Sequence, residues 1–371
     1  MGFLKDYLFI IFIGAILLQM IYFWLITSKV AFLKTKHSEK NIYDPISVVI
    51  TVRNEQDNLM RFLKFVLEQD YPNFEVIVVN DQSNDDSEYY LKSLQPIYLN
   101  LKIVNVLNPV NFFKGKKFPL SIGIKSAKND LIVLIDADCK PNSNQWLKEI
   151  AESYEDGTKI VLGFGDYSFE KGFLNYVIRY ETLKTAINYF SFARIGIPYM
   201  GVGRNLSYKK SLFFEQHGFQ SHYKIQSGDD DLFVNKAANR LNTRILASPT
   251  SKTISLPETS FLNFVNQKRR HLTSGKYYKA KHLFLLFIFD ISYYLFLITA
   301  ILLLLEKQQI IAVTTLIALR YISFLIITKL TMIKLGVSKL LLISPFLELL
   351  LSVFIPFILM TNIIYRNAKW K

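Results

Sequence analysis

A single cysteine, Cys139, stands in a chain of 371 residues, which excludes an internal disulfide and any metal site built from several thiolates. Its position just after an apolar run is that of a small residue at a strand end. Acidic residues are in deficit: 30 Asp and Glu against 44 Lys and Arg leave a net charge of +14. That sign suits nucleic acid or anionic lipid. No helix-turn-helix, zinc-finger or RNP-like pattern accompanies the lysines, so the expectation is a membrane surface and no nucleic acid. Two phosphate-binding signatures are also missing. No Gly-x-Gly-x-x-Gly follows the first strand-like run and no Gly-x-x-x-x-Gly-Lys-Ser/Thr occurs anywhere, which sets aside a dinucleotide-binding Rossmann domain and a P-loop nucleotidase.

Long apolar runs are present, and they sit at the two ends. Tyr7 to Thr27 carries no charge and is long enough to cross a hydrocarbon core of about 30 Å. The bulky "QMIYFWLITSK" lacks the small residues of a cleavage site, so the segment reads as an uncleaved anchor within residues 1–30. The basic "SKVAFLKTKHSEK" after it places the following domain in the cytoplasm by the positive-inside rule. Leu283 to Leu305, Ile310 to Thr328 and Leu340 to Tyr365 repeat the apolar signal over residues 283–365. They carry Asp290, Arg320 and Glu348 respectively, and intramembrane charges tend to face a bundle interior. Asp290 and Arg320 are expected either to pair or to snorkel separately to an interface. Four full spans would put the basic tail "YRNAKWK" outside, against the charge rule, so the last segment, with prolines at 345 and 356, has a re-entrant or interfacial alternative.

Between these ends, over 44–280, the pattern changes to βαβ. Ile46 to Val52 and Phe74 to Asn80 read as buried strands joined by an amphipathic helix from Gln56 to Glu68. Leu131 to Ile135 reads as a third strand after the helical "FPLSIGIKSA". The economical fold is α/β, a parallel sheet with helices on both faces. Ligands of such sheets lie at the carboxyl ends of the strands. There the sequence puts Thr51, Arg53, Asn54 and Glu55, then Asp81, then Asp136 and Asp138 in "LIVLIDADCKPNSNQW". Carboxylates repel a diphosphate unless a divalent cation bridges them, so the crevice looks built for Mg²⁺ or Mn²⁺ together with a nucleoside diphosphate.

Six stretches, "ISVVITVRNEQDNL", "EVIVVNDQSNDDS", "KGKKFPLSIGIKSAKNDLIVLIDAD", "GVGRNLSYKKSLFFEQHGF", "SGDDDLF" and "NQKRRHLTSGKYY", resemble in this order the successive motifs of membrane-bound family 2 glycosyltransferases of the GT-A fold. The resemblance implies a GT-A domain flanked by transmembrane helices. It implies that Thr51, Arg53, Glu55 and Asp81 hold the base and ribose of a nucleotide-sugar donor, with uridine favoured by an acceptor carboxylate. Asn80-Asp81 stands where many relatives have two aspartates. It further implies that Asp136 and Asp138 bind the metal, Asp136 also facing the donor, and that Lys116 or Lys117 neutralises phosphate. In "SGDDDLF", Asp229 matches the base that deprotonates the acceptor hydroxyl, with Asp230 next to it, and three adjacent acids raise one another's pKa. Gln267 and Arg270 would meet acceptor or diphosphate, with His271 where tryptophan is usual. Gly201, Gly203, Arg204 and Asn205 resemble an acceptor-side loop. The implied activity is inverting transfer of one sugar to a lipid-linked or glycan acceptor at the membrane in cell-envelope glycan synthesis. A processive polysaccharide synthase and a catalytically inactive scaffold that binds nucleotide sugars are the alternatives.

Overall fold

The computed structural model describes residues 2–33, 44–106, 115–225 and 227–364. Most of the basic linker after the first apolar run, the start of "FFKGKKF" and the tail "YRNAKWK" therefore lie outside the described residues.

Ten strands are formed among the described residues: β1 (Ile46–Val52), β2 (Phe74–Asn80), β3 (Leu101–Asn105), β4 (Leu131–Leu134), β5 (Cys139–Pro141), β6 (Ile160–Leu162), β7 (Gly165–Tyr167), β8 (Leu206–Lys209), β9 (Thr243–Ile245) and β10 (Thr253–Ser255). Seven form one sheet in the order β3-β2-β1-β4-β8-β6-β9, and β5-β10-β7 form a small second sheet. β1 and β2 are buried along nearly their whole length, as unbroken β-branched runs require when both faces are covered. Helix Gln56–Leu67 buries Leu59, Phe62, Leu63, Val66 and Leu67 on one stripe, and it shares a core with Val48, Ile50, Val76, Val78 and Trp146. On the other face Val49, Ile77 and Val79 meet Leu120 and Ile124 of helix Lys117–Ser126.

The α/β expectation holds, with two differences. Leu131–Leu134 is the fourth strand in the chain, because β3 intervenes at the sheet edge; an edge strand with one half-covered face reads "LKIVN" and lacks a strong apolar run. The sheet is also mixed rather than wholly parallel. β8 pairs antiparallel with both β4 and β6, and its "LSYK" is too short and too polar to announce itself by periodicity. What the parallel part does for function follows from register. β1 pairs with β2 from Ile46↔Phe74 to Val52↔Asn80 and with β4 from Ile46↔Leu131, so the loops carrying Arg53, Asp81 and Asp136 open at the same edge.

Among the described residues, four helices are long and apolar enough to cross a membrane: Asp6–Ala31, Ala280–Leu305, Ile310–Leu335 and Ser344–Asn362. Gln19 on the first donates to Ser292 Oγ (2.5 Å) and to the Phe289 carbonyl (3.1 Å) on the second. Arg320 on the third does not pair with Asp290. It makes two hydrogen bonds to Glu348 (2.7 and 2.8 Å) on the fourth and one to Gln19 Oε1 (3.1 Å), with the rings of Tyr293, Phe296 and Tyr321 about it at 4.8–5.0 Å. The reason is facial: Asp290 lies on the exposed side of its helix, whereas Glu348 is turned inward and only 6% exposed. A guanidinium this enclosed requires a carboxylate that matches its planar fork. Pro356 does not break the last segment, which runs as one helix from Ser344 to Ile364. Between the third and fourth helices, Gly336 and Ser338 dock on the domain: Lys252 Nζ bonds both Asp166 (2.9 Å) and the Gly336 carbonyl (2.6 Å), and Arg179 bonds the Ser338 carbonyl (3.2 Å).

Candidate active site

The loops after β1 and β2 are stitched into one rim. Asn54 takes the left-handed conformation, φ 56°, which a short polar side chain tolerates. Its Oδ1 accepts the Asn84 N–H (2.7 Å), while its own N–H donates to Ser83 Oγ (3.0 Å), and the Gln56 N–H donates to Asp85 (3.1 Å). The Asp81 N–H continues the ladder onto the Val52 carbonyl (2.8 Å), and the Arg53 guanidinium stands 3.8 Å from the Asp81 carboxylate. Burial pushes the Asp81 carboxyl up, with Arg53 opposing. Thr51, Arg53, Glu55 and Asp81 thus share one edge. Glu55 there accepts from Asn58 (2.6 Å).

The chain leaves β4 through a turn in which the Asp136 carbonyl accepts the Cys139 N–H (3.1 Å). Ligand atoms of Asp136, Asp138 and Cys139 all lie within 4.8 Å of one another. Lys116 forms an ion pair with Asp136. Burial works against the Asp136 anion, but Lys116, then Arg204 and Arg270, hold its carboxyl below the usual range. Asp138 is raised, by burial and then by Asp136, which is the signature of two carboxylates sharing one site. A divalent cation relieves that repulsion, and the donor set fits a hard one: Cys139 is turned to Ser255 Oγ (2.8 Å) and to Asp138 Oδ1 (3.2 Å). Its thiol is pushed well up by burial and by the two carboxylates, so it stays protonated. Oxygen ligands without thiolate suit Mg²⁺ or Mn²⁺.

Two residues expected at the ligand are placed elsewhere. Lys117 is 1% exposed and points away from the crevice, its ammonium held by the carbonyls of His222 (3.2 Å), Ile225 and Ser227 (2.5 Å). Adjacent residues of a helix diverge by about 100°, and it is Lys116 that faces Asp136. Asn205 is also interior: it donates to the Phe164 and Ser251 carbonyls (2.9 and 2.8 Å) and accepts from the Trp146 indole (3.1 Å). A Cβ on Gly163 would come within 2.4 Å of its amide, so the two residues are matched for packing. Arg204 does reach the crevice, stacked at 4.3 Å on Tyr167 and bonded to Ser255 Oγ (3.2 Å) and the Gly165 carbonyl (3.1 Å).

Opposite stands the acid loop. Gly228, at φ +96°, makes the turn before it, and a Cβ there would lie 2.5 Å from Leu232. Asp230 caps helix Asp231–Ala237 and accepts both the Asp231 and the Gly203 N–H at 2.7 Å. Asp231 accepts from Ser274 Oγ and from the Tyr278 hydroxyl (2.8 Å). Asp229 is half-buried and accepts no hydrogen bond among the described residues. Burial, then Asp229 and Asp231, push the Asp230 carboxyl to about 8, so at neutral pH it is largely protonated and already engaged. A carboxyl raised on folding binds its proton more tightly in the folded state. Its contribution to stability is therefore complete below the unfolded value near 4 and is lost as pH rises toward 8. Denaturation of the detergent-solubilised protein should accordingly show this part of its stability falling from pH 5 to pH 8; a flat or rising profile would contradict the assignment.

Helix Phe261–Gly275 closes this side. Gln267, Arg270, His271 and Ser274 follow i, i+3, i+4, i+7 and so share a face, and Ser274 bonds Asp231. Desolvation, then Lys268, Arg270 and Arg204, hold the His271 imidazole well below its usual range, hence neutral. Sequence reasoning did not single out Ser255, Tyr167 or Tyr278. Each is an ordinary polar or aromatic residue in its own segment, and only the fold puts it on Cys139, Arg204 or Asp231.

A mixed sheet whose strand ends carry a polar rim and a paired-aspartate turn, with an acid loop facing them, has the architecture of a GT-A-type domain. Residues 47–216 match the family model "Glycosyl transferase family 2", so this stretch, which holds the rim and the Asp136–Asp138 turn, carries a family 2 glycosyltransferase domain. Glycosyltransferase AglE of Haloferax volcanii is 30% identical over 126 residues, 33% of this chain and 40% of that protein. An undecaprenyl-phosphate 4-deoxy-4-formamido-L-arabinose transferase of Aeromonas hydrophila is 31% identical over 119 residues, 31% of this chain and 35% of that protein. The matches thus span well under half of these relatives. The mannosyltransferase PcManGT from Pyrobaculum calidifontis, solved with GDP-Man and Mn²⁺, shares the fold with a TM-score of 0.57 at 15% identity, over 89% of this chain and 97% of that one.

Proposed function

We propose that the protein is an inverting glycosyltransferase that moves a sugar from a nucleoside-diphosphate sugar, UDP-linked by preference, to a lipid-linked acceptor presented at the membrane, in cell-envelope glycan synthesis. The observation that carries this reading is the convergence in one crevice of the paired Asp136 and Asp138, the cations Lys116, Arg204 and Arg270, and the uncommitted carboxylate of Asp229.

In this reading the rim of Thr51, Arg53, Glu55 and Asp81 seats the nucleoside, Asp81 accepting from the base or ribose. Asp136 and Asp138 would hold Mg²⁺ or Mn²⁺, which when bound would offset diphosphate charge. Asp229 takes the proton from the acceptor hydroxyl. The freed oxygen attacks the anomeric carbon from the face opposite the diphosphate, the bond to the diphosphate oxygen breaks, and the configuration inverts. Lys116, Arg204 and Arg270 neutralise the charge that the departing diphosphate gains. Asp230 holds the loop through the Gly203 and Asp231 amides and keeps Asp229 facing outward. Gln267 and His271 lie on the acceptor side; a neutral histidine in place of an indole offers less stacking surface, which favours single transfer over processive synthesis. The positive-inside rule puts the domain in the cytoplasm, where nucleotide sugars are made. The lipid-linked acceptor is supported by the membrane-competent helices that flank the domain in the chain and by the undecaprenyl-phosphate transferase activity for which the Aeromonas relative is named.

The test is nucleotide-sugar binding and turnover by detergent-purified protein across UDP-, GDP- and dTDP-sugars, with and without Mn²⁺ or Mg²⁺. Metal-dependent turnover of one donor into a lipid-extractable product is expected. Absence of donor binding by calorimetry across the panel would shift the weight to a scaffold, and long polymer would shift it to a processive synthase.

A further inference from the structure

Helix Phe261–Gly275 is held by two neighbours, the acid loop and the C-terminal helix. Toward the crevice, Ser274 Oγ bonds Asp231, and Ser227 Oγ meets Thr273 Oγ1 at 3.0 Å. It also meets the C-terminal helix Ser344–Ile364: Arg269 Nε donates to Asn362 Oδ1 (2.9 Å), and Asn362 Nδ2 donates back to the Arg269 carbonyl (3.0 Å). Phe264 stacks on Phe354 at 6.0 Å. The C-terminal helix is in turn tied to the bundle by Glu348 on Arg320.

A reciprocal bond involving both the side chain and the backbone carbonyl of one residue restrains a helix against rotation as well as translation. Each residue advances the helix by about 100°, so fixing the azimuth of Arg269 also fixes that of Arg270 and His271, which the next positions aim into the crevice. The bond from Ser274 to Asp231 carries the same restraint to the acid loop. A side chain misplaced by about 1 Å costs on the order of a hundredfold in a reaction that depends on alignment.

We propose that Arg269 and Asn362 are positioning residues: the C-terminal helix is a brace, seated on the bundle through the Arg320–Glu348 pair, that holds helix Phe261–Gly275 and the acid loop in register with the donor site. The proposal rests on the glycosyltransferase reading for its consequence in catalysis, but its physical content, a local restraint, is measurable without turnover. It also predicts that activity depends on the packing of the surrounding bilayer or detergent, because the brace ends in the membrane-competent helix.

The test compares amide hydrogen exchange of the full chain in detergent micelles for wild type, Asn362→Leu and Asn362→Asp, with UDP–Mn²⁺ and GDP–Mn²⁺ affinities measured by calorimetry. Asn362→Leu removes both bonds at a half-buried site; Asn362→Asp keeps the acceptor for Arg269. Exchange over 227–231 and 264–275 should rise about tenfold in the leucine variant and much less in the aspartate variant, as local opening does when a restraint is lost. Exchange in β1 and β2 and nucleotide affinity should stay within about twofold of wild type, since those lie outside the restrained unit. Unchanged exchange in Asn362→Leu would overturn the brace, and so would acceleration spread evenly over the domain. Failure of wild type to bind either nucleotide would count against the glycosyltransferase reading and leave the exchange result to decide the brace.

Discussion

Asp229→Asn should reduce sugar transfer by roughly 10²–10⁴-fold, the usual contribution of a positioned general base, while donor binding and the melting temperature stay close to wild type. The argument is one of availability. Of the three acids, Asp230 spends both oxygens on the Gly203 and Asp231 amides, and Asp231 accepts from Ser274 and Tyr278. Asp229 alone has no such partner among the described residues, and an amide at that position keeps the shape while removing the lone pair that accepts the proton. Measurement is by turnover of the donor selected from the nucleotide-sugar panel, with calorimetry as the control on binding. Transfer within tenfold of wild type would move the base elsewhere in the crevice. A parallel loss of donor affinity would make Asp229 a structural acid.

Asp138→Asn should abolish metal-stimulated turnover and weaken Mn²⁺ affinity by at least about a hundredfold, since even partners one layer behind a ligand are worth roughly 10–100-fold. The metal-free protein should melt no lower than wild type. Asp138 is raised by burial and by its neighbour Asp136, so neutralising it removes a repulsion that the fold otherwise bears. This combination separates a metal ligand from a mere turn former, whose loss would lower the melting temperature and leave Mn²⁺ affinity unchanged. Titration of Mn²⁺ by calorimetry reads the affinity directly, and retained affinity would sink the assignment.

Much of this architecture was legible in advance because it rests on local signals. The runs "ISVVITV" and "FEVIVVN" are so uniformly apolar that only central parallel strands accommodate them, and the stripe on Gln56–Leu67 matches one buried helix face. The apolar terminal runs announced the membrane-competent helices by length alone. The edge strand Leu101–Asn105 and the antiparallel Leu206–Lys209 escaped, since half-covered short strands need no distinctive pattern. Within the site, the residue types at the strand ends were readable, but side-chain direction was not. Lys116 and Lys117 are equivalent as text; one faces Asp136 and the other is enclosed by three carbonyls. Asn205 looked like a loop residue and is a core amide.

What the sequence by itself determined is therefore the kind of element each segment forms and the chemistry available at each strand end, because apolar periodicity and residue type act over a few neighbours. Only the tertiary structure decided partnership. Arg320 had two acids to choose from, Asp290 in the preceding apolar helix and Glu348 in the following one, and the enclosed geometry selects Glu348. Likewise the contact of Arg269 with Asn362 joins positions 93 residues apart. Such choices follow from which faces the packed helices turn toward one another, and a charge enclosed by those faces takes the partner whose geometry satisfies it.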